Sequence, residues 1–276
     1  MWVRFYEFLQ IPRMTLSPKS ILRHWFPTLL GTNIKRLIYR FLLLSLVYGL
    51  SACSPEAQTR LTKITTNQAK QIELNLSGRD SQLGDPVFIR IVKTVDGSLQ
   101  DGYLELFLEN NAGEFELYKS WPICSYSGDL GPKLKEGDGQ SPEGFYFIRP
   151  SQMNPNSSYH LSFNLGFPNA FDRAHGRTGS FLMVHGNCVS IGCYAMTDPV
   201  IEEIYTIMTA AFDAGQPFIR VHAFPFPMTE NNLSKYQSHA DIDYWRNLKS
   251  GWDHFETLNR PPDVTVRNLK YHFSID

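Results

Sequence analysis

The clearest order in the chain is the alternation of apolar and polar positions between residues 87 and 119. Residues 87–93 form a short apolar run. Leu104, Leu106 and Leu108 then alternate with Glu105 and Glu109, and the period of two resumes over 114–119 after the turn Asn110-Asn111-Ala112-Gly113. Since successive side chains of a strand point to opposite faces, this stretch predicts a meander with one wet face. Further strand patterns cover 159–165, 180–185 and 217–222. Residues 127–144, rich in Gly and Pro, read as loop. Past residue 198 the period changes to that of a helix. Asp198 is placed to cap it and Pro199 to open it. Ile201, Ile204, Tyr205, Met208 and Phe212 share a stripe, and Gly215 stops it. A second helix is expected over 241–257, with Tyr244, Trp245, Leu248, Trp252 and Phe255 inward. The pattern implies one mostly β, α+β domain over 81–276 with two or three packed helices. Residues 53–80, polar and poor in aromatics, read as a tether.

Composition adds a compartment. The chain of 276 residues is 42% apolar and 19% charged, enough apolar content for a substantial core. Of the net charge of −1, residues 1–52 hold seven cations against one acid, which leaves −7 on the remainder. An acidic body lacks the basic footprint of a nucleic-acid partner. Lys35, Arg36 and Arg40 precede a ten-residue apolar run, 41–50, too short to cross a hydrocarbon core of ~30 Å but matched to a secretory signal. Leu50-Ser51-Ala52-Cys53 resembles the bacterial lipoprotein cleavage box, which implies a signal peptide over 1–52 and a lipidated Cys53. The expected location is the periplasm, anchored to a membrane, and the outer membrane before the inner.

Thiols oxidise in that compartment. Cys124, Cys188 and Cys193 remain after Cys53, and an odd number leaves one unpaired. Cys124 and Cys188 can pair, or both can be small core residues. The segment 184–196 carries the chemistry. His185 ends a strand pattern, Gly186 and Gly192 bracket a tight loop, and Cys193 follows. Nucleophilic thiol chemistry needs a base for the thiol proton and backbone donors for an oxyanion. His185 serves as the proton acceptor and donor, Cys193 as nucleophile, and Gly192, Gly186 and Ser190 as oxyanion or orienting residues. The carbonyl of Gly186 is a ready partner for the second imidazole nitrogen. The spacing of His185, Cys188 and Cys193 is not that of a zinc site, and no metal or cofactor is expected.

His185-Gly186 and Ser190-Ile191-Gly192-Cys193 resemble the His-Gly and Ser-x-Gly-Cys signature of the YkuD-type L,D-transpeptidases, with the YafK-like subgroup the nearest likeness. Ser141-Pro142-Glu143-Gly144-Phe145-Tyr146 and Gly176-Arg177-Thr178-Gly179-Ser180 fit the same family, so that most of 85–225 is covered. The resemblance implies a YkuD-like β-sandwich or meander. It also implies acyl transfer through a Cys193 thioester on diaminopimelate-type stem peptides of peptidoglycan. This chain departs from the usual pattern at Ile191, where His or Lys is typical, and at Ala195, often Arg. Arg177 and Arg173 are candidates to replace the missing cation, and Tyr194 is a further candidate at the substrate. The same site, given water, is an amidase that releases peptide or a wall-attached lipoprotein. A non-catalytic wall-binding lipoprotein is the alternative from another class.

Overall fold

The computed structural model describes residues 55–97 and 101–274, so the expected signal segment and Cys53 lie outside the described residues. Residues expected as a tether begin instead with a 22-residue helix, α1 (Pro55–Leu76). Its apolar residues are few. Leu61, Ile64, Ile72 and Leu76 form a thin stripe that the polar composition conceals, and Ile72 is wholly buried. The stripe packs on α3 (Asp198–Asp213), and Gln68 Nε2 donates to Glu202 across that contact at 3.2 Å.

The meander is β1 (Val87–Val92), β2 (Tyr103–Glu109) and β3 (Phe115–Pro122). It joins β4 (Gly144–Ile148) and β9 (Ile219–Phe224) in a five-stranded sheet of order β3-β2-β1-β9-β4. β1 and β9 run parallel, and the other neighbours are antiparallel. Ile89 and Ile91 face the core shared with α1 and α3, while Phe88 and Val92 face the opposite way. That second face was expected in water. It is covered by α5 (Ile242–Leu258), with Phe88 packed on Phe107 and Phe255. Arg90 also faces this way, stacked on Trp252 and paired with Glu105 at 2.6 Å and Glu256 at 2.5 Å. Alternation marked the two faces of the sheet. It could not reveal that a distant helix would dry the polar one.

Helix α3 begins one residue earlier than capping suggested: Thr197 is its N-cap, and Asp198 is its first residue with Pro199 next. Asp198 turns its carboxylate outward to accept from the amide of Asn187 at 2.8 Å. In α5, Trp245, Leu248, Trp252 and Phe255 are buried as the periodicity predicts. Short helices α2 (Ala170–Ala174) and α4 (Glu230–Lys235) bring the described helices to five, more than the two or three expected. The architecture is α+β with strands dominant, closed by the hairpin β10 (Asp263–Arg267) and β11 (Lys270–Ser274). None of the described helices is long and apolar enough to cross a membrane.

The Gly/Pro-rich loop before β4 is anchored by a buried ion pair. Glu143 Oε1 accepts from Lys93 Nζ at 2.9 Å and from the amide of Gly131 at 2.7 Å. Its Oε2 accepts from Trp245 Nε1 at 2.9 Å. Lys93 also donates to the carbonyl of Gly131 at 3.1 Å. A fully buried pair is tolerable only when such added hydrogen bonds offset its desolvation. Burial still pulls Lys93 below the usual lysine range against the pull of Glu143.

Candidate active site

A second, smaller sheet carries the signature residues. β5 (Met153–Asn154), β6 (Ser162–Asn164), β7 (Met183–His185) and β8 (Tyr194–Ala195) lie in that order. The register pairs Asn154 with Ser162, Ser162 with His185, and His185 with Ala195. Residues directly opposite in adjacent strands share a face, so these four stand in one row. Two residues back along β7, Met183 lies beside Cys193, and its amide donates to Cys193 Sγ at 3.4 Å. His185 and Cys193 are thus on one face of the sheet, one row apart. Both line a cleft of about 730 Å³.

His185 is 2% exposed. Its Nδ1 lies 2.6 Å from the carbonyl oxygen of Gly186. A carbonyl can only accept, so Nδ1 carries the proton and the Nε2 lone pair is left as a base. Tyr159 packs on the ring at 4.8 Å between centroids. Burial pulls the imidazole below its ordinary pKa, opposed by the bond to Gly186, and so favours the neutral form. Cys193 is half-buried and is the free cysteine among the described residues. Burial pushes its thiol up, while the Met183 amide and the charge of Lys133 pull it down. The thiol donates to the carbonyl of Phe181 at 3.8 Å. Both shifts favour the neutral thiol and the neutral imidazole.

The loop between them is held by its own serine. Ser190 Oγ donates to the carbonyl of Cys193 at 2.7 Å and accepts from the amide of Gly192 at 3.2 Å. Ser141 Oγ reaches the same Cys193 carbonyl at 3.1 Å. Ser190 is thus a fastener, and the Gly192 amide is turned onto it rather than left free. Gly186 is an orienting residue: its carbonyl fixes His185, and its amide is shared by the carbonyls of Tyr159 and Leu161. A side chain at Gly186 would strike Asp198 Oδ1 at 2.5 Å. Cys124 and Cys188 are joined in a disulfide with 5.3 Å between Cα atoms, which ties the loop to the segment following β3.

Three sequence candidates lie elsewhere. Arg177 donates to the buried Asp172 at 2.8 Å and stacks over Phe171 and Tyr244, away from the cleft. Arg173 is exposed on α2 and donates to the carbonyl of Pro168. Tyr194, next to Cys193 in sequence, points to the opposite face of the sheet, where it is fully buried and donates to the Pro142 carbonyl at 2.7 Å. Strand alternation alone decides this.

The cation at the cleft is Lys133, which sequence reasoning passed over within the loop of glycines and prolines. It is 4% exposed and paired with Asp138, and its stem runs where a side chain at Gly179 would come within 2.8 Å of its Cε. Asp138, held down to about 2 by Lys133 and the amides of Lys135, Leu134 and Gln140 despite its burial, knits that wall of the cleft together. Among the described residues no group of three or more His, Cys, Asp or Glu side chains is placed to hold a metal ion.

No family model matches the chain. Over 189 residues it is 45% identical to "Putative L,D-transpeptidase YafK" of Escherichia coli K12, a match that covers 68% of this chain and 74% of that protein. The protein of the same name from Escherichia coli O157:H7 matches equally. Two crystal structures of the helical cell shape determining protein Pgp2 from Campylobacter jejuni, one of them a mutant, also match. The mutant gives a TM-score of 0.40 at 18% identity over 69% of this chain, which spans 64% of that protein's length. The other gives 0.39 at 16% identity over 74% of this chain and 80% of that one. By its identity to the two Escherichia coli proteins, the chain belongs to the YafK family of L,D-transpeptidase-like proteins, the group its His-Gly and Ser-x-Gly-Cys segments resemble.

Proposed function

We propose that this protein is a cysteine acyltransferase that opens a peptide bond of a peptidoglycan stem peptide through a Cys193 thioester. The observation that carries the reading is the shared face of β7 and β8, with His185 locked by Gly186 and Cys193 one row away at the same cleft. The name of the Escherichia coli relative supports the substrate class.

Cys193 attacks the carbonyl of a bond next to a diaminopimelate-type residue, and His185 Nε2 takes the thiol proton as the C–S bond forms. The oxyanion is met by the backbone amides of the Gly192–Cys193 turn. There the bond from Gly192 to Ser190 is at the long end of the normal range and is given up for the stronger acceptor. His185 then protonates the leaving amine. An amine acceptor yields a cross-link, and water yields release of peptide by the same residues.

Incubating isolated sacculi with the purified protein and resolving the muropeptides by mass tests this. New cross-links are expected from the wild type and none from Cys193→Ala. Released peptide or protein in place of cross-links makes water the acceptor, and unchanged sacculi in both samples overturn the reading. Export with lipidation at Cys53 belongs to the same proposal, supported by the Leu50-Ser51-Ala52-Cys53 box. An intact mass with unmodified Cys53 would end it.

A further inference from the structure

Taking Cys193 as the nucleophile, we infer that Ser162 holds the second substrate, the amine or water that resolves the thioester. Three observations place it there. Ser162 is 1% exposed, yet its hydroxyl has no hydrogen-bond partner. It lines the same cleft as His185 and Cys193. It also stands directly opposite His185 in the register of β6 and β7, on the flank of the imidazole away from β8.

The two flanks of His185 differ in chemistry. Toward β8 the neighbour in the row is the methyl group of Ala195, which can orient nothing. Toward β6 and β5 the row continues as Ser162 and Asn154, and both line the cleft. A buried hydroxyl without a partner gives up its hydration and gains no bond in exchange. Natural structures seldom leave such a group unmatched, and one that lines a cleft is open to a water or ligand that completes it. Ser162 is the register neighbour of His185 in the cleft wall, so a molecule that donates to its hydroxyl lies beside the imidazole that accepts the second proton.

The step balances. An N–H or O–H of the acceptor donates to Ser162 Oγ, and its other proton passes to His185 Nε2. The new C–N or C–O bond forms as the thioester C–S bond breaks. The proton then moves from His185 to the departing Cys193 thiolate. Ser162 takes no part in the first half-reaction, in which the thiol is the nucleophile.

The test separates the two halves. Purified protein is mixed with a disaccharide-tetrapeptide containing meso-diaminopimelate, quenched at intervals and weighed intact. In Ser162→Ala the Cys193 adduct should form within about twofold of the wild-type rate and decay about tenfold more slowly, one lost hydrogen bond in the resolving step. Ser162→Thr, which keeps the hydroxyl, should restore decay. Thermal stability of Ser162→Ala should hold or rise, because the hydroxyl removed has no partner in the folded protein. Wild-type decay in Ser162→Ala, or an equal slowing of adduct formation, overturns this role and leaves the Cys193 reading standing. The absence of any Cys193 adduct in both proteins removes the two together.

Discussion

Each of the two larger sheets buries a histidine, and only one of the two lines the candidate cleft. His222 lies on β9 of the five-stranded sheet, 1% exposed, with Phe88 and Phe145 each 4.7 Å from its ring. His185 exposes almost as little surface but sits under a cleft, and burial lowers the pKa of both, that of His222 the further. His222 meets the nearby cations Arg220 and Arg90 and an Nε2 with no partner. His185 has its Nδ1 proton spent on Gly186 and its ring on the wall of a cleft. A lowered pKa therefore does not mark a catalytic histidine. A fixed tautomer on the wall of a cleft makes His185 the candidate.

The largest effect expected is at the thiol. Cys193→Ala and Cys193→Ser should each lower acyl transfer at least about a thousandfold. The melting temperature should move little, since a half-buried cysteine contributes little to packing. Full activity in either variant would name the wrong residue.

Next come the two histidines. His185→Ala should cost about a hundredfold to ten-thousandfold at neutral pH. Partial recovery is expected only well above the free thiol pKa of about 8.5, because burial raises the Cys193 thiol and the thiolate must form without a base. In the wild type, activity should fall as pH drops through the lowered pKa of His185, because an imidazolium cannot accept the thiol proton. His222→Ala should leave kcat unchanged and act on stability instead. His222 is neutral in the fold, whereas its unfolded form gains a proton below about pH 6.5. Acid therefore destabilises the protein there, and His222→Phe should lessen that loss in a pH series of melting curves.

The loop anchor should matter less to chemistry and much to stability. Glu143→Ala leaves Lys93 buried and unpaired, at a cost of about 3–5 kcal/mol, whereas Lys93→Met with Glu143→Leu should recover only part of it, because the Gly131 amide and Trp245 Nε1 still lose their acceptor. Chemical denaturation of the single and double variants measures the difference. Cys188→Ser should cost about 2–4 kcal/mol, since the disulfide closes 64 residues of chain. It should also lower turnover by loosening the loop beside His185.

The smallest effect concerns Gly192. It lies at φ +136°, and an added methyl would sit 3.4 Å from Leu182 Cδ1. Gly192→Ala should cost about 1–3 kcal/mol of backbone strain and lower turnover with the fold intact. Unchanged turnover would separate this turn from the oxyanion.

The readable parts of the chain were those set by local repetition. The meander, the stripe of α3 and the inward residues of α5 recur at the period of their own element, so a short window reveals them. Helix α1 escaped because its stripe holds four apolar residues among polar ones, and its partner α3 begins more than 120 residues later. The site divided the same way. His185, Cys193 and the bracketing glycines lie within nine residues, so their spacing spoke for itself. Lys133 and Ser162 are 60 and 31 residues from Cys193 in sequence and look like any loop lysine or strand serine.

Arg177 and Tyr194 mark where nearness in sequence misleads. Tyr194 adjoins Cys193 but faces the core, because successive strand residues alternate. Arg177 lies near the site in sequence but closes on Asp172, because a buried carboxylate needs a cation more than the cleft does. The sequence by itself marked the candidate thiol, the candidate base, the loop between them and the strands that end in them, since each follows from residues a few positions apart. Only the tertiary structure decided which cation lines the cleft, which hydroxyl stands beside the imidazole and that the polar face of the meander is covered too. Those depend on which distant segments meet, and no local period encodes that.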